Sequence, residues 1–195
     1  MLLNHVVLAL LWTLYGVLHS VLAGLRVKQF FAKHMGRHYK HYRLAYTVFA
    51  FVTFALIIWY QVSIESFNLF KPTLFSRLAG GLVAAAGLSL MLICIKKYFM
   101  GLSGLRSLLQ EEVYTELLIS GVHRYVRHPL YLGTFLFIWG SFLLFPTLSI
   151  LITDVVITAY TMFGMQLEEK KLVRDFGEQY KRYQKSVPKL IPKFR

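Results

Sequence analysis

The sequence predicts an all-α integral membrane protein with about five transmembrane helices, a terminal helical hairpin and a cytoplasmic C-terminal helix. Three observations predict this class. Of 195 residues, 56% are hydrophobic, and the mean hydropathy of +0.53 is too high for an ordinary soluble domain. The chain contains five apolar stretches near the length that a bilayer requires. Lysine and arginine are concentrated in alternate connections between these stretches.

The chain length allows one domain, so we expect residues 1–195 to form a single membrane domain. Three N-terminal spans are expected within residues 1–95 and a second half over residues 96–195. The first stretch lacks the basic start and the cleavage site of a signal peptide, which predicts a retained span. Only Pro146 and its neighbours separate the last two stretches, which predicts a tight hairpin. The five stretches are Leu2 to Leu25, Leu44 to Ile64, Leu78 to Ile95, Leu130 to Phe145 and Thr147 to Leu167.

The third stretch contains a surface of small residues at Gly80, Ala84 and Gly87. Small side chains let two helix backbones approach closely, so this surface predicts helix packing and no chemistry.

The basic residues define an orientation. Residues 25 to 43 contain six lysines and arginines, residues 96 to 129 contain five, and the tail from residue 168 contains nine, whereas the opposite side has only Lys71 and Arg77. The positive-inside rule then places the N-terminus outside and the C-terminus in the cytoplasm. We expect a bacterial inner membrane. The formal charge of +13 indicates anionic lipids as partners, and no nucleic acid is expected.

The first basic connection interleaves aromatic residues with His34, His38 and His41. Their spacing is helical, so a metal site is conceivable. Neighbouring arginine and lysine side chains would repel a cation, which favours an amphipathic segment on anionic headgroups. No metal site is therefore predicted.

A candidate binding segment follows, with the sequence GVHRYVRHPLY over residues 121 to 131. Arg127 and His128 precede Pro129, and proline suits the first turn of a helix because its missing N–H has no partner there. A helix that begins at Pro129 presents free backbone N–H groups to an anion, and a carboxylate or phosphate could bind them. The alternative is a basic cluster that only fixes topology.

A second candidate segment begins where the fifth stretch ends, at Glu168 and Glu169. Paired acids at the end of a helix oppose its dipole, so either the helix continues or the acids meet a positive partner. The following residues place an apolar and aromatic face at helical spacing, which is typical of docking on a membrane surface. This face consists of Leu172, Phe176, Tyr180 and Tyr183.

The two segments, in this order and over about residues 118 to 192, resemble the integral-membrane methyltransferases that include isoprenylcysteine carboxyl methyltransferase and bacterial phospholipid methyltransferases. Further upstream, the sequence KKYFMGLSGLRSL is similar to a bacterial branch with methanethiol S-methyltransferases and NnrU-like proteins. Val122 and His123 depart from the family pattern, which usually has a small apolar residue and an aromatic residue there.

The resemblance implies that residues 96–195 form a cofactor-binding half and that S-adenosylmethionine is the cofactor. Arg127 and His128, with the helix start at Pro129, would then address the methionyl carboxylate. Glu168 and Glu169 would accept hydrogen bonds from the amino group or the ribose. The implied catalytic residues are Arg127, His128 and Glu168, and the implied cofactor-binding residues are Gly121, Tyr125, Arg127, His128, Pro129, Tyr131, Glu168 and Glu169.

We therefore expect a methyltransferase that acts on a lipophilic or membrane-partitioning acceptor, namely a prenylcysteine-type carboxylate, a thiol or a phospholipid amine. A carboxylate acceptor needs no general base, whereas a thiol or a protonated amine needs one. The alternative is a non-methylating protein of the NnrU or carotene-isomerase type that holds haem through His5 or His19. The oligomeric state is left open.

Overall fold

The computed structural model describes residues 1–102, 117 and 119–192, and all named elements within them are helical. Residues 103–108 of the upstream KKYFMGLSGLRSL segment lie outside the described residues. The elements in chain order are α1 (Leu2–Ala23), α2 (Leu25–Met35), a 3₁₀ helix (Gly36–His41), α3 (Tyr42–Ser63), α4 (Leu74–Leu102), a 3₁₀ turn (Gly121–Arg124), α5 (Pro129–Leu144) and α6 (Leu148–Ser186).

Four segments of the described residues are long and apolar enough to cross a membrane. Helix α5 is a shorter apolar helix of 16 residues, about 24 Å long at 1.5 Å per residue. Each of the five predicted apolar stretches coincides with a helix, which confirms the all-α membrane class. The four long segments are Leu2–Ala23, Arg26–Ser63, Leu74–Lys96 and Leu148–Ser186.

The described residues group into two compact units. The first unit includes Met1–Leu69 and Thr147–Ile157. The second unit includes Phe70–Lys97, helix α5 and the part of α6 from Thr158 onward. The division into functional halves at residue 95 stays a prediction.

In the first unit, α1 packs against α3 through a core of Leu8, Trp12 and Ile57. A polar contact joins the start of α1 to the loop after α3, because Nε2 of His5 lies 3.1 Å from Oγ of Ser66.

In the second unit, glycines let α4 and α5 approach closely. A Cβ atom on Gly80 would lie 2.7 Å from the carbonyl oxygen of Gly140, and one on Gly140 would lie 2.5 Å from the backbone nitrogen of Ala84. Any larger residue at these positions would force the helices apart. The predicted small-residue surface is thus in contact with α5, whose first turn carries the candidate site.

Helix α6 continues beyond its apolar part, so Glu168 and Glu169 lie in mid-helix and not at a helix end. The helix is broken at Gly177, where φ is 55° and ψ is −130°. This left-handed conformation favours glycine because it has no Cβ. Nε2 of Gln184 lies 3.4 Å from Oε2 of Glu169, which is 15 residues away. In an unbroken helix that separation would be about 22 Å, so the chain folds back after Gly177.

Candidate functional site

The candidate site is built at the first turn of α5, within the second unit. Gly121, with φ of 67°, opens the 3₁₀ turn Gly121–Arg124 that leads to it. His128 caps α5, and Pro129 occupies its first turn, as the sequence predicts. The backbone N–H groups of Arg127 and His128 donate to the carbonyl oxygens of Pro188 and Lys189, at 2.9 and 3.2 Å. The C-terminal segment therefore closes one side of the site.

The guanidinium of Arg127 is bound by groups of the protein itself. Nε and Nη2 each lie 2.8 Å from Oε1 of Glu169. Nη1 donates to the carbonyl oxygens of Gln184 and Val187 at 2.9 and 2.5 Å. Four of its five N–H donors are thereby used. Arg127 thus connects α5, α6 and the folded-back tail, and its predicted contact with a ligand carboxylate stays a prediction.

His128 lies between the two glutamates. Its Nε2 is 3.1 Å from Oε1 of Glu169, and its Nδ1 is 3.8 Å from Oε2 of Glu168. The ring stacks on Tyr131, with ring centroids 5.5 Å apart. Burial lowers the pKa of His128, and the Arg127 guanidinium adds to this, which outweighs the two carboxylates that raise it. The net pKa lies below the ordinary value, so the imidazole is neutral at pH 7.

In the neutral ring, one nitrogen carries a hydrogen and the other a lone pair. Glu169 is an acceptor, so the bond at 3.1 Å assigns the hydrogen to Nε2 of His128. Nδ1 then has a free lone pair, which is the arrangement that a general base requires.

Glu169 is the buried carboxylate of the site, with 11% of its side chain exposed. Besides Arg127 and His128, it binds Nζ of Lys189 at 3.3 Å and Nε2 of Gln184 at 3.4 Å. Burial raises the pKa of Glu169, but hydrogen bonds from Arg127 and His128 outweigh burial and hold the pKa below its usual value. Glu169 is therefore an ionised counter-charge inside the protein.

Glu168 is the open carboxylate of the site, with 45% of its side chain exposed. Its Oε2 accepts a hydrogen bond from the hydroxyl of Tyr131 at 2.9 Å. Within residues 1–102, 117 and 119–192, its other oxygen has no hydrogen-bond partner. One acceptor position of Glu168 is thus available to a ligand.

The structure brings five of the predicted residues into direct contact: Arg127, His128, Tyr131, Glu168 and Glu169. Gly121 and Pro129 shape the backbone around them. Tyr125 is an exposed residue, and its implied role in cofactor binding stays a prediction. At the position that departs from the family pattern, Nδ1 of His123 lies 3.1 Å from the carbonyl oxygen of Arg127.

Three residues at the site are missing from the sequence-based set: Gln184, Lys189 and Tyr180. The phenol of Tyr180 is 1% exposed, and its hydroxyl has no hydrogen-bond partner among the described residues. Burial raises the pKa of Tyr180, and the charges of Glu169 and Glu168 raise it further. Gly177, inside an otherwise helical pattern, was the available signal that the tail turns back.

The fold and this buried cluster of charges define an all-α integral membrane protein with a polar site at the start of α5. The NnrU protein family matches residues 7–192. The chain belongs to the NnrU family.

The chain is also similar to several curated methyltransferases. It is 29% identical over 191 residues to a methanethiol S-methyltransferase of Crocosphaera subtropica, covering 92% of this chain and 71% of that protein. It is 28% identical over 193 residues to methanethiol S-methyltransferase 1 of Bradyrhizobium diazoefficiens, covering 94% and 65%. A shorter match of 77 residues, 36% identical, joins it to a protein-S-isoprenylcysteine O-methyltransferase of Schizosaccharomyces pombe, covering 39% and 33%. No solved structure matches the chain.

These matches confirm both resemblances seen in the sequence, to the isoprenylcysteine methyltransferase family and to NnrU-like proteins. They support the prediction of a methyltransferase, an activity that implies a methyl donor. His5 and His19, the histidines of the haem alternative, are bonded within the first unit. Both ring nitrogens of His19 lie within 2.9 Å of the hydroxyl of Tyr46.

Proposed function

We propose that this protein transfers a methyl group from S-adenosylmethionine to a membrane-partitioning thiol. One observation carries the proposal. His128 and Glu169, 41 residues apart in the sequence, share a hydrogen bond in a buried cluster, and the chain is related over most of its length to methyltransferases.

The residues at the site fit the charges of the methyl donor, which has an ammonium, a carboxylate and a sulfonium. Glu168 offers an acceptor oxygen without a partner among the described residues, and an ammonium is a strong donor to a carboxylate. The buried hydroxyl of Tyr180 offers an unused polar group. The first turn of α5 offers backbone N–H groups that favour an anion. Bound there, the sulfonium would supply an electrophilic methyl group.

Glu169 and Arg127 would keep the site in one geometry. The carboxylate holds the imidazole of His128 through Nε2, and the guanidinium holds the carboxylate. Orientation of this kind is a major source of rate enhancement, since the reacting groups no longer search for each other. Arg127 is then a positioning residue, because its guanidinium contacts Glu169 and two backbone carbonyls of the protein.

A thiol is the favoured acceptor because the site contains a base. The thiolate is the nucleophilic form of sulfur, so the thiol proton has to leave. His128 is neutral with a lone pair on Nδ1, and it would take that proton. The resulting imidazolium would lie between Glu169 at 3.1 Å and Glu168 at 3.8 Å, which stabilises its charge. A carboxylate acceptor is already ionised, so its methylation would not require this base.

The orientation completes the proposal. We place the basic connections and the C-terminal tail in the cytoplasm of a bacterium, with the N-terminus on the other side of the inner membrane. Helix α2 and the 3₁₀ helix after it, both rich in basic and aromatic residues, would lie on anionic headgroups. The site would then open to the cytoplasmic pool of the methyl donor.

Calorimetry on the detergent-purified protein tests the cofactor. We expect the wild type to bind S-adenosylmethionine and S-adenosylhomocysteine, and Glu168→Gln and His128→Ala to weaken both by at least tenfold, about 1.4 kcal/mol. Lys71→Gln, a change in a connection outside the site, is the matched charge control and should bind as the wild type does. A wild-type protein that binds neither compound overturns the proposal, and a Soret band in that protein would favour the haem alternative.

Transfer of a labelled methyl group tests the acceptor. Methanethiol, a prenylcysteine analogue with a free carboxylate and an aminophospholipid are offered separately to the same preparation. We expect label on the thiol, and a rate that falls below the pKa of His128 as the base becomes protonated. Label on the carboxylate or the amine alone would show that the thiol assignment is wrong.

A further inference from the structure

The Tyr180 hydroxyl is a buried polar group that has no hydrogen-bond partner among the described residues. The residue is 1% exposed, and within residues 1–102, 117 and 119–192 its oxygen has no hydrogen-bond partner. Buried hydroxyls are nearly always paired, since an unpaired one loses its bonds to water without replacement. A phenylalanine would fill the same space without this loss. The retained oxygen therefore indicates a partner other than the residues that the structure describes.

Tyr180 is placed beside the candidate site by the folded-back part of α6. Tyr180 and Gln184 are four residues apart on this helix, so they share one face. The carbonyl of Gln184 accepts a bond from Arg127, and its side chain donates to Glu169. The charges of Glu169, Arg127 and Glu168 all act on the phenol. Tyr180 therefore lies on the helix face whose residue Gln184 contacts the charged cluster, and its buried, un-ionised hydroxyl is a donor.

The charges of the cluster indicate which ligand group this donor meets. Glu168 has a free oxygen that suits the ammonium of the methyl donor's amino-acid group. The carboxylate of the same group is attached to the same carbon atom and needs a donor close by. Arg127 has already used four of its five N–H groups on Glu169 and two backbone carbonyls. The Tyr180 hydroxyl is a donor that has no bond to any residue of the described part of the chain.

We propose that Tyr180 is a binding residue for the methyl donor and that its hydroxyl donates to the carboxylate of the donor's amino-acid group. This assignment rests on the proposed function. It adds to the site a residue from the folded-back tail, which the sequence pattern had assigned to a docking face.

The neighbouring Tyr183 provides a matched control. Its ring lies 5.8 Å from that of Tyr180, and its hydroxyl donates to the carbonyl oxygen of His123 at 2.6 Å. Each residue changes to phenylalanine by the loss of one oxygen atom. One hydroxyl has a protein partner and the other has none among the described residues. The two changes should therefore have different effects on the unfolding temperature and on the affinity for the methyl donor.

The experiment measures two quantities on wild type, Tyr180→Phe and Tyr183→Phe in detergent. The first is the thermal unfolding temperature without ligand, and the second is the affinity for S-adenosylhomocysteine, S-adenosylmethionine and decarboxylated S-adenosylmethionine. We expect Tyr180→Phe to unfold at the wild-type temperature or above, and to bind the two carboxylate-containing compounds about tenfold more weakly. Its affinity for the decarboxylated compound should equal that of wild type. Tyr183→Phe should unfold earlier and keep its affinity within about twofold.

Each other outcome contradicts the inference in a recognisable way. If wild type binds S-adenosylhomocysteine and Tyr180→Phe binds it equally well, the inference is wrong and the proposed function stands. An equal loss for the decarboxylated compound would show that the hydroxyl does not contact the carboxylate. A lower unfolding temperature for Tyr180→Phe would show that the hydroxyl has a partner in the protein. A wild type that binds none of the compounds overturns both proposals.

Discussion

The two adjacent glutamates of the site divide it into a buried half and an open half. In the buried half, Glu169 binds Arg127, His128, Gln184 and Lys189. In the open half, Glu168 accepts one bond from a tyrosine hydroxyl and remains 45% exposed. One carboxylate connects several parts of the protein, and the other has an oxygen without a hydrogen-bond partner among the described residues.

The difference follows from helix geometry. Consecutive residues on a helix point about 100° apart, so two neighbouring side chains cannot face the same surroundings. Glu169 points towards Arg127 and the folded-back tail, whereas Glu168 points towards the edge where Tyr131 lies. The two glutamates form one motif in the sequence but have different surroundings in the structure. Their contributions can therefore be tested by separate substitutions.

The largest loss of stability is expected from Glu169→Ala. This change leaves the guanidinium of Arg127 buried without its carboxylate and removes the acceptor that orients His128. Breaking a buried ion pair by deleting one partner costs about 3 to 5 kcal/mol. We expect a correspondingly large fall in the free energy of unfolding, measured by thermal or denaturant unfolding in detergent.

Glu168→Ala is the matched control, since it deletes the same carboxylate one position earlier. Surface pairs contribute about 0 to 1 kcal/mol, and Glu168 is partly exposed, so its loss should stay within that range. Equal destabilisation by the two variants would mean that the buried and open halves do not differ in the way the contacts indicate.

The positions of the helices could be predicted from the sequence, but the closure of the site could not. Apolar length and Pro129 are local signals, and they identified the five helices and the start of α5. The closure depends on Gly177, whose left-handed conformation is a property of the folded chain. A glycine within a helical pattern is commonly tolerated, so Gly177 was a weak signal of the reversal.

The sequence predicted which residues form the site better than it predicted what each of them contacts. The family resemblance assigned Arg127 and His128 to a carboxylate of the cofactor, and the paired glutamates to its amino group or ribose. The sequence did not indicate that the guanidinium of Arg127 would donate to the backbone carbonyls of Gln184 and Val187. Those contacts depend on the tail folding back, and charge patterns carry no information about backbone carbonyls. Tyr180 was assigned to a docking face for the same reason.

An intermediate loss of stability is expected when the pH is lowered, and it should come from the titration of His128 and Glu169 in the buried half. The folded-state pKa of His128 lies below its ordinary value, so its neutral form contributes stability above about pH 6.5 that is lost as the pH falls towards the folded pKa. The pKa of Glu169 is also lowered, so its contribution is present above about pH 4.3 and is lost as the pH falls through the folded pKa. Both groups therefore destabilise the protein on acidification, each by at most about 1.4 kcal/mol per pH unit.

Unfolding temperatures between pH 8 and pH 4, measured for wild type, His128→Asn and Glu169→Gln, separate the two windows. His128→Asn should remove the decline that begins near about pH 6.5, and Glu169→Gln should flatten the decline below about pH 4.3. A wild-type profile that stays level from neutral pH down to the carboxylate window would contradict the assignment of a buried neutral imidazole.

The smallest effect is expected from Tyr131→Phe in the open half. The change removes the hydroxyl that donates to Oε2 of Glu168 at 2.9 Å and keeps the ring that stacks on His128. A single hydrogen bond contributes about 0.5 to 1.5 kcal/mol, and exposure of Glu168 to water reduces that value here. We expect a loss of stability below about 1 kcal/mol and a change in affinity for S-adenosylhomocysteine of about threefold or less. Because the carboxylate of Glu168 remains, Tyr131→Phe should bind S-adenosylhomocysteine more tightly than Glu168→Gln does. The reverse order in calorimetry would show that the phenol, and not the carboxylate, is the ligand-binding group of the open half.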